Sequence, residues 1–247
     1  MAGVSKIEWT ECTWNPVTGC TKISPGCDHC YAERLSKRLQ AMGAPNYSKG
    51  FDVCTHDSLL TVPLRWKKPK LIFVNSMSDL FHPSLPVSFI QRVFQTMVEA
   101  HWHTFQVLTK RATRLFEICG ALPWPPNVWM GVTVENKDCL FRMEALRNTP
   151  AQIKFVSFEP LLGPLTGLDL KQIDWVVTGG ESGPGARPIH KDWIYTIRYQ
   201  CQELGIPFFF KQWGGFNKKK AGRMLDGKIW EEMPSPKRSA PQLLVTA

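Results

Sequence analysis

Short, continuous apolar runs recur along this chain, and each gives way to polar or glycine residues before a stretch of helical periodicity. The runs are KLIFVNS (70–76), TFQVLTK (104–110), VWMGVTVEN (128–136), IKFVSFEP (153–160), DWVVTGGES (174–182) and PFFFKQWGG (207–215), with a first near CTWNPVT (12–18). Continuous rather than alternating apolarity marks strands covered on both faces, the habit of parallel sheets. Helical spacing is predicted over 29–42, 86–101, 111–119, 137–148 and 190–204. In the last of these, Trp193, Ile194, Ile197, Cys201 and Leu204 fall at helical spacing, and Gly205 follows as a C-terminal stop. About seven such βα units predict an α/β fold: a single-domain parallel βα barrel, complete or partial and TIM-like, over residues 1–216. Beyond it the periodicity is lost, and 217–247 reads as a basic, irregular tail whose last ten residues are expected to be disordered.

Polar residues collect just past the strand cores: Asn75, Ser76, Ser78 and Asp79; Thr109, Lys110 and Arg111; Thr133, Glu135 and Asn136; Ser157 and Glu159; Thr178, Glu181 and Ser182; Lys211 and Gln212. In a parallel barrel these strand ends converge on one mouth, where sites are built. Each taken alone reads more readily as a cap or turn residue. Six sets at equivalent positions point to a site.

Composition adds constraints. A chain of 247 residues buries enough surface to fold without disulfides. It has no apolar run of about 18 residues and no secretory leader, so a cytoplasmic protein without a membrane span is expected. The formal net charge is +9. Residues 211–247 carry eight basic and three acidic side chains, so just over half of the excess lies there. Such a balance suits a polyanionic partner, nucleic acid first.

Three of the eight cysteines, Cys20, Cys27 and Cys30, lie within eleven residues in a loop rich in glycine and proline. In a reducing compartment such clusters serve metals or redox chemistry more often than disulfides. Zinc usually takes four ligands, and here His29 or the distant Cys54 would have to complete the set. Three thiolates on one loop can instead hold three irons of a [4Fe–4S] cluster and leave the fourth iron open. The scattered Cys119, Cys139 and Cys201 read as small buried hydrophobes.

A cysteine loop after the first strand, ending in CDHC and followed by a βα barrel, resembles the radical S-adenosylmethionine superfamily. The usual Cys-x3-Cys-x-aromatic-Cys pattern is widened here to a first gap of six, with His29 in the aromatic place. Within it, TWNPVTGC, SPGCDHCYAERL, FEPLLGP and GGESGPGARP closely resemble a bacteriophage and prophage family of unknown function, over residues 5 to about 215. The resemblance implies a [4Fe–4S] cluster on Cys20, Cys27 and Cys30. It implies S-adenosylmethionine as cofactor, cleaved by one electron to methionine and a 5′-deoxyadenosyl radical that takes hydrogen from substrate. An electron donor such as flavodoxin or ferredoxin is implied too. The superfamily's GGE-like segment after the second strand is replaced by NSMSD (75–79), which gives its part to Ser76, Ser78 or Asp79. Thr133, Glu135 and Asn136 would hold the ribose, Gly179 and Gly180 would let backbone approach the cofactor, and His29 would pack near the adenine. Glu159, Glu181 and Lys211 would act on the substrate, with Gln212 in contact and Trp14 and Trp213 as walls. A nucleic-acid base or nucleotide-linked group is the expected target, with phage DNA modification a candidate role. A non-catalytic nucleic-acid-binding module holding zinc or an iron–sulfur cluster is the alternative, and a barrel hydrolase using Glu159 and Glu181 a third.

Overall fold

The computed structural model describes residues 2–5 and 7–235. The chain opens with β1 (Ala2–Val4), β2 (Cys12–Trp14) and β3 (Val17–Thr18), followed by the cysteine loop and α1 (Tyr31–Ala41). β4 (Cys54–Thr55) pairs with β3 as a small ribbon. The repeating part is β5 (Leu71–Val74), α2 (Val87–Glu99), β6 (Thr104–Thr109), α3 (Ala112–Ile118), β7 (Val128–Thr133), α4 (Phe141–Arg147), β8 (Ile153–Phe158), β9 (Trp175–Gly179), α5 (Lys191–Glu203) and β10 (Phe208–Gln212). Short α6 (Lys218–Ala221) and the hairpin β11 (Met224–Leu225) and β12 (Lys228–Ile229) come last.

Seven strands, β2 and β5 to β10, run parallel in that spatial order and curl into a partial barrel, as expected. Strand periodicity of two sorts their side chains onto two faces. Ile72, Val74, Val107, Met130, Val156 and Phe208 face the helices in one large core. Phe73, Trp129, Phe155, Trp175 and Phe209 fill the concave face around Trp9, which reaches in from the N-terminal loop. Trp9 meets Phe73 and Trp175 edge-on, with ring centroids 4.7 and 5.8 Å apart.

Local signals explain the helices. In α2, Phe89, Ile90, Val93, Phe94 and Met97 form the buried stripe of an amphipathic helix. After α5, Gly205 takes φ +65°, its N–H bonds to Gln202, and that of Ile206 bonds to Cys201. This is the double bond of a Schellman stop, which glycine makes without strain.

An open barrel has two edges, and both are covered. β1 lies antiparallel on β2. At the other edge Phe210 N–H donates to the Trp230 carbonyl and Glu232 N–H to that of Phe208, pairing the tail with β10. A three-residue outer strand and the paired tail leave little edge on which a second chain can pair. Thus residues 217–235, read from sequence as irregular, contain a helical turn and a hairpin, and Leu225 and Trp230 are buried in the main core. Their apolar anchors are too sparse for a periodic pattern. The last ten residues, expected to be disordered, lie outside the described residues. No helix among the described residues is long and apolar enough to cross a membrane.

Candidate functional site

The backbone of the cysteine loop is fixed first by a glycine. Gly19 takes φ +82°, and a β-carbon there would lie 2.0 Å from the Asp52 carbonyl oxygen. Its N–H donates to the Met77 carbonyl, and that of Cys20 to Phe51. Pro25–Cys27 form a single 3-10 turn, and Cys30 caps the start of α1.

Side chains from three strand ends then hold the loop. Past β6, Arg111 Nη2 donates to Thr21 O (3.0 Å), Thr21 Oγ1 (2.9 Å) and Cys20 Sγ (3.7 Å). Past β7, Glu135 accepts from Ser24 Oγ (2.7 Å) and pairs with Arg142 (2.8 Å) and Lys110 (3.5 Å). Past β9, Glu181 accepts from Arg187 Nη2 (2.6 Å) and Nε (2.9 Å) and lies 3.1 Å from His29 Nδ1. The same Arg187 Nη2 donates to the Pro25 carbonyl at 2.7 Å.

All three thiols line one cavity of about 260 Å³ at the mouth formed by the strand ends. Ile7, Trp9, Phe73 and Leu108 give it an apolar part continuous with the concave core. Of the residues singled out from sequence, His29, Ser76, Ser78, Asp79, Thr133, Gly180, Glu159, Glu181, Lys211 and Gln212 also line it. Glu135, Asn136 and Gly179 do not. Glu135 is fully buried behind the cysteine loop. Asn136 caps the turn that follows, accepting from Asp138 N–H. A β-carbon at Gly179 would come within 2.8 Å of Glu159 Oε1, so this glycine makes room for that carboxylate. Trp14 is wholly buried and donates to the Leu59 carbonyl, while Trp213 packs on Phe210; neither lines the cavity.

The lining groups differ in how far they are already engaged. Asp79 accepts from Thr109 Oγ1 (2.7 Å), Phe81 N–H and Lys110 N–H. Ser76 donates to Asn15 Oδ1 and Ser78 to the Val17 carbonyl. From the ends of β10 and β8, Lys211 Nζ pairs with Glu159 Oε1 at 3.1 Å, and Ser157 Oγ donates to Glu159 Oε2 at 3.3 Å. Gln212 donates to the Gly180 carbonyl and leaves its buried Oε1 without a partner.

Sequence reasoning did not assign Arg187, Arg142 or Tyr31 to the site. Arg187 stands in the GARP of a quoted motif, but its use depends on a contact with residues about 160 positions earlier. Tyr31 follows the last cysteine, lines the cavity and donates to the Ser76 carbonyl.

Burial pushes the Cys20 thiol up to about 12, with Asp79 adding to the effect and Arg111 opposing it. Metal binding there must displace a proton. Burial also works against ionised Glu181, but the hydrogen bonds from Arg187 and His29 outweigh it and hold its carboxyl at about 2. For Glu135, burial is likewise outweighed by Lys110 and Arg142, and the carboxyl lies below its ordinary value. Both carboxylates are therefore fixed anions at neutral pH.

Among the described residues, no three His, Cys, Asp or Glu side chains converge as ligands of one metal ion. A cube takes each thiolate on a different iron, so its donors need only open onto one cavity. Three thiols lining one cavity, with an arginine donating to one sulfur, fit the cube as a donor set.

The fold and site define a parallel half-barrel with a thiol-lined mouth. The chain belongs to the family described as "Protein of unknown function (DUF5131)", which residues 4–234 match. No curated protein matches it. Among solved structures it is similar in fold to a spore photoproduct lyase variant, with TM-score 0.50 and 10% identity over 85% of this chain and 78% of that one. A second variant, with bound AdoMet and dinucleoside spore photoproduct, gives TM-score 0.50 and 10% identity over 82% of this chain and 64% of that chain. The chain thus spans slightly less than two thirds of the second structure's length.

Proposed function

We propose that this protein is a radical S-adenosylmethionine enzyme. In this reading Cys20, Cys27 and Cys30 hold a [4Fe–4S] cluster, and the substrate is a nucleic-acid base or nucleotide-linked group. The observation that carries it is the opening of all three thiols of one loop onto a single cavity at the strand-end mouth. Support comes from the motif resemblance, from the fold of a lyase variant bound to AdoMet and a dinucleoside, and from the +9 charge.

When bound, the cluster supplies the electron for reductive cleavage of S-adenosylmethionine. The chain's residues do the rest. Arg111 places a positive charge and a donor beside Cys20 Sγ. Ser76, Ser78, Thr133 and Gly180 line the part of the mouth where the cofactor's polar groups would bind, with Asp79 fixing the backbone behind them. Glu181 orients His29, and the apolar lining keeps water from the reacting centre. Lys211 and Glu159 face the substrate, where Nζ or Oε1 can hold or release a proton. A flavodoxin- or ferredoxin-type donor and a cytoplasmic setting complete the proposal.

The test is anaerobic reconstitution with iron and sulfide, followed by dithionite and S-adenosylmethionine. The expected result is iron–sulfur absorption in the visible range and release of 5′-deoxyadenosine. A colourless protein holding one tightly bound zinc, with no such release, overturns it.

A further inference from the structure

We infer that the segment 214–220 is a docking edge for single-stranded or locally unpaired nucleic acid. Phe216 stacks on the base beside the one entering the cavity, and Lys219 and Lys220 take the phosphates. This rests on the nucleic-acid substrate proposed above, and it names the surface that would present it.

Phe216 is 81% exposed, more than any other large hydrophobic residue described. It owes that position to two successive left-handed glycines, Gly214 (φ +83°) and Gly215 (φ +82°), directly after β10. A β-carbon on Gly214 would lie 2.2 Å from the Glu181 carbonyl oxygen, so the chain reverses in contact with the cavity wall. Gly215 N–H donates to the Glu181 carbonyl (2.7 Å), and Gly183 N–H donates to that of Gly215 (3.0 Å). Glu181 and Ser182 line the cavity, so the backbone that carries the exposed ring is anchored at its rim.

The helical turn that follows is anchored as well. Asn217 Oδ1 accepts from Lys220 N–H (3.2 Å), and Lys218 Nζ pairs with Glu8 (2.9 Å), beside cavity-lining Ile7 and Trp9. Lys219 and Lys220 are exposed, and neither forms an ion pair among the described residues. A bare aromatic ring next to uncompensated cations suits a polymer that alternates flat rings with phosphates, and single strands are bound by such pairs. An acidic protein would answer the lysines, but its charges are not regularly interleaved with flat rings as a strand's phosphates are with its bases.

The test is fluorescence anisotropy of the full-length protein with a labelled single strand of about a dozen nucleotides. Phe216→Ala is expected to weaken binding about ten-fold or more with an unchanged salt slope. Lys219→Gln with Lys220→Gln is expected to lower the slope of log K against log salt by about 1.4, at roughly 0.7 per phosphate contact. Both sites are exposed, so the melting temperature serves as the folding control. Absence of strand binding, or equal affinity of Phe216→Ala, overturns the proposal. So does an equal Phe216 dependence with inorganic polyphosphate or with vesicles of anionic lipid. Cluster absorption and 5′-deoxyadenosine release, read in parallel, separate the two claims. Phe216-dependent strand binding without a cluster rejects the radical chemistry alone, and a working cluster without it rejects the docking edge alone.

Discussion

Two sets of side chains at the cavity are built on different terms. On the cysteine-loop side, almost every charged group is engaged in holding the loop: Glu135 by Ser24, Arg142 and Lys110, Glu181 by Arg187 and His29, and Arg111 by Thr21 and Cys20. At the ends of β8 and β10, by contrast, Lys211 has one partner, Glu159, and Gln212 Oε1 has none. A saturated group resists rearrangement, because exchanging its partners leaves buried charge uncompensated. A group paired once inside a cavity can exchange that partner for a ligand. The difference separates scaffold from ligand contacts among residues whose sequence signatures are the same.

The sharpest way to break this division is at the thiols. Replacing any one of Cys20, Cys27 or Cys30 by Ala should abolish iron–sulfur absorption and 5′-deoxyadenosine release. The melting temperature of the cluster-free protein should barely move, because none of the three is fully buried. Retained absorption in all three variants would detach the loop from its proposed role. Next in size, Lys211→Met or Glu159→Gln should cut substrate turnover by about 10²- to 10⁴-fold, the range for a lost proton-transfer group. Cleavage of S-adenosylmethionine without substrate should continue in both. A parallel loss of cleavage would place the pair on the cofactor side.

The scaffold side predicts a different failure. Glu135→Gln leaves Arg142, only 3% exposed, without its carboxylate. Removing one partner of such a buried pair typically costs about 3–5 kcal/mol. Chemical unfolding should show that loss, and what remains folded should still take up iron. An unchanged stability would mean that Ser24 and the cysteine loop are held by something other than this anion.

Much of this arrangement was legible in the chain. Strands covered on both faces announce themselves as continuous apolar runs, which is why all seven parallel strands lie inside the runs read from sequence. The mouth was legible because parallel strands put their polar ends together. What sequence could not order was depth. Glu135 and Glu159 both follow a strand, yet the first turns behind the loop to Arg142 and the second into the cavity toward Lys211. That choice is made by partners distant in sequence, such as Ser24 for Glu135. The tail was misjudged for a related reason: its strand-like pairing with β10 uses backbone groups, which carry no compositional signature.

The smallest expected effect tests the scaffold by its charge. Glu181 ordinarily would ionise near 4.5, and in the fold its carboxyl is held at about 2. A carboxyl whose folded value is lowered gives stability that is fully present above about 4.5 and is lost as pH falls through about 2. Glu181→Gln should therefore cost about 1–3 kcal/mol at neutral pH, the lowered carboxyl setting the upper end and screening at Arg187, 30% exposed, the lower. Its deficit relative to the unaltered protein should shrink steadily below pH 4.5 and close near pH 2. Urea unfolding of the two proteins along that pH series measures it. A deficit that stays constant with pH would mean that Glu181 holds the cysteine loop by shape and neutral hydrogen bonds, and the contrast between the two sets of residues would then lose its electrostatic half.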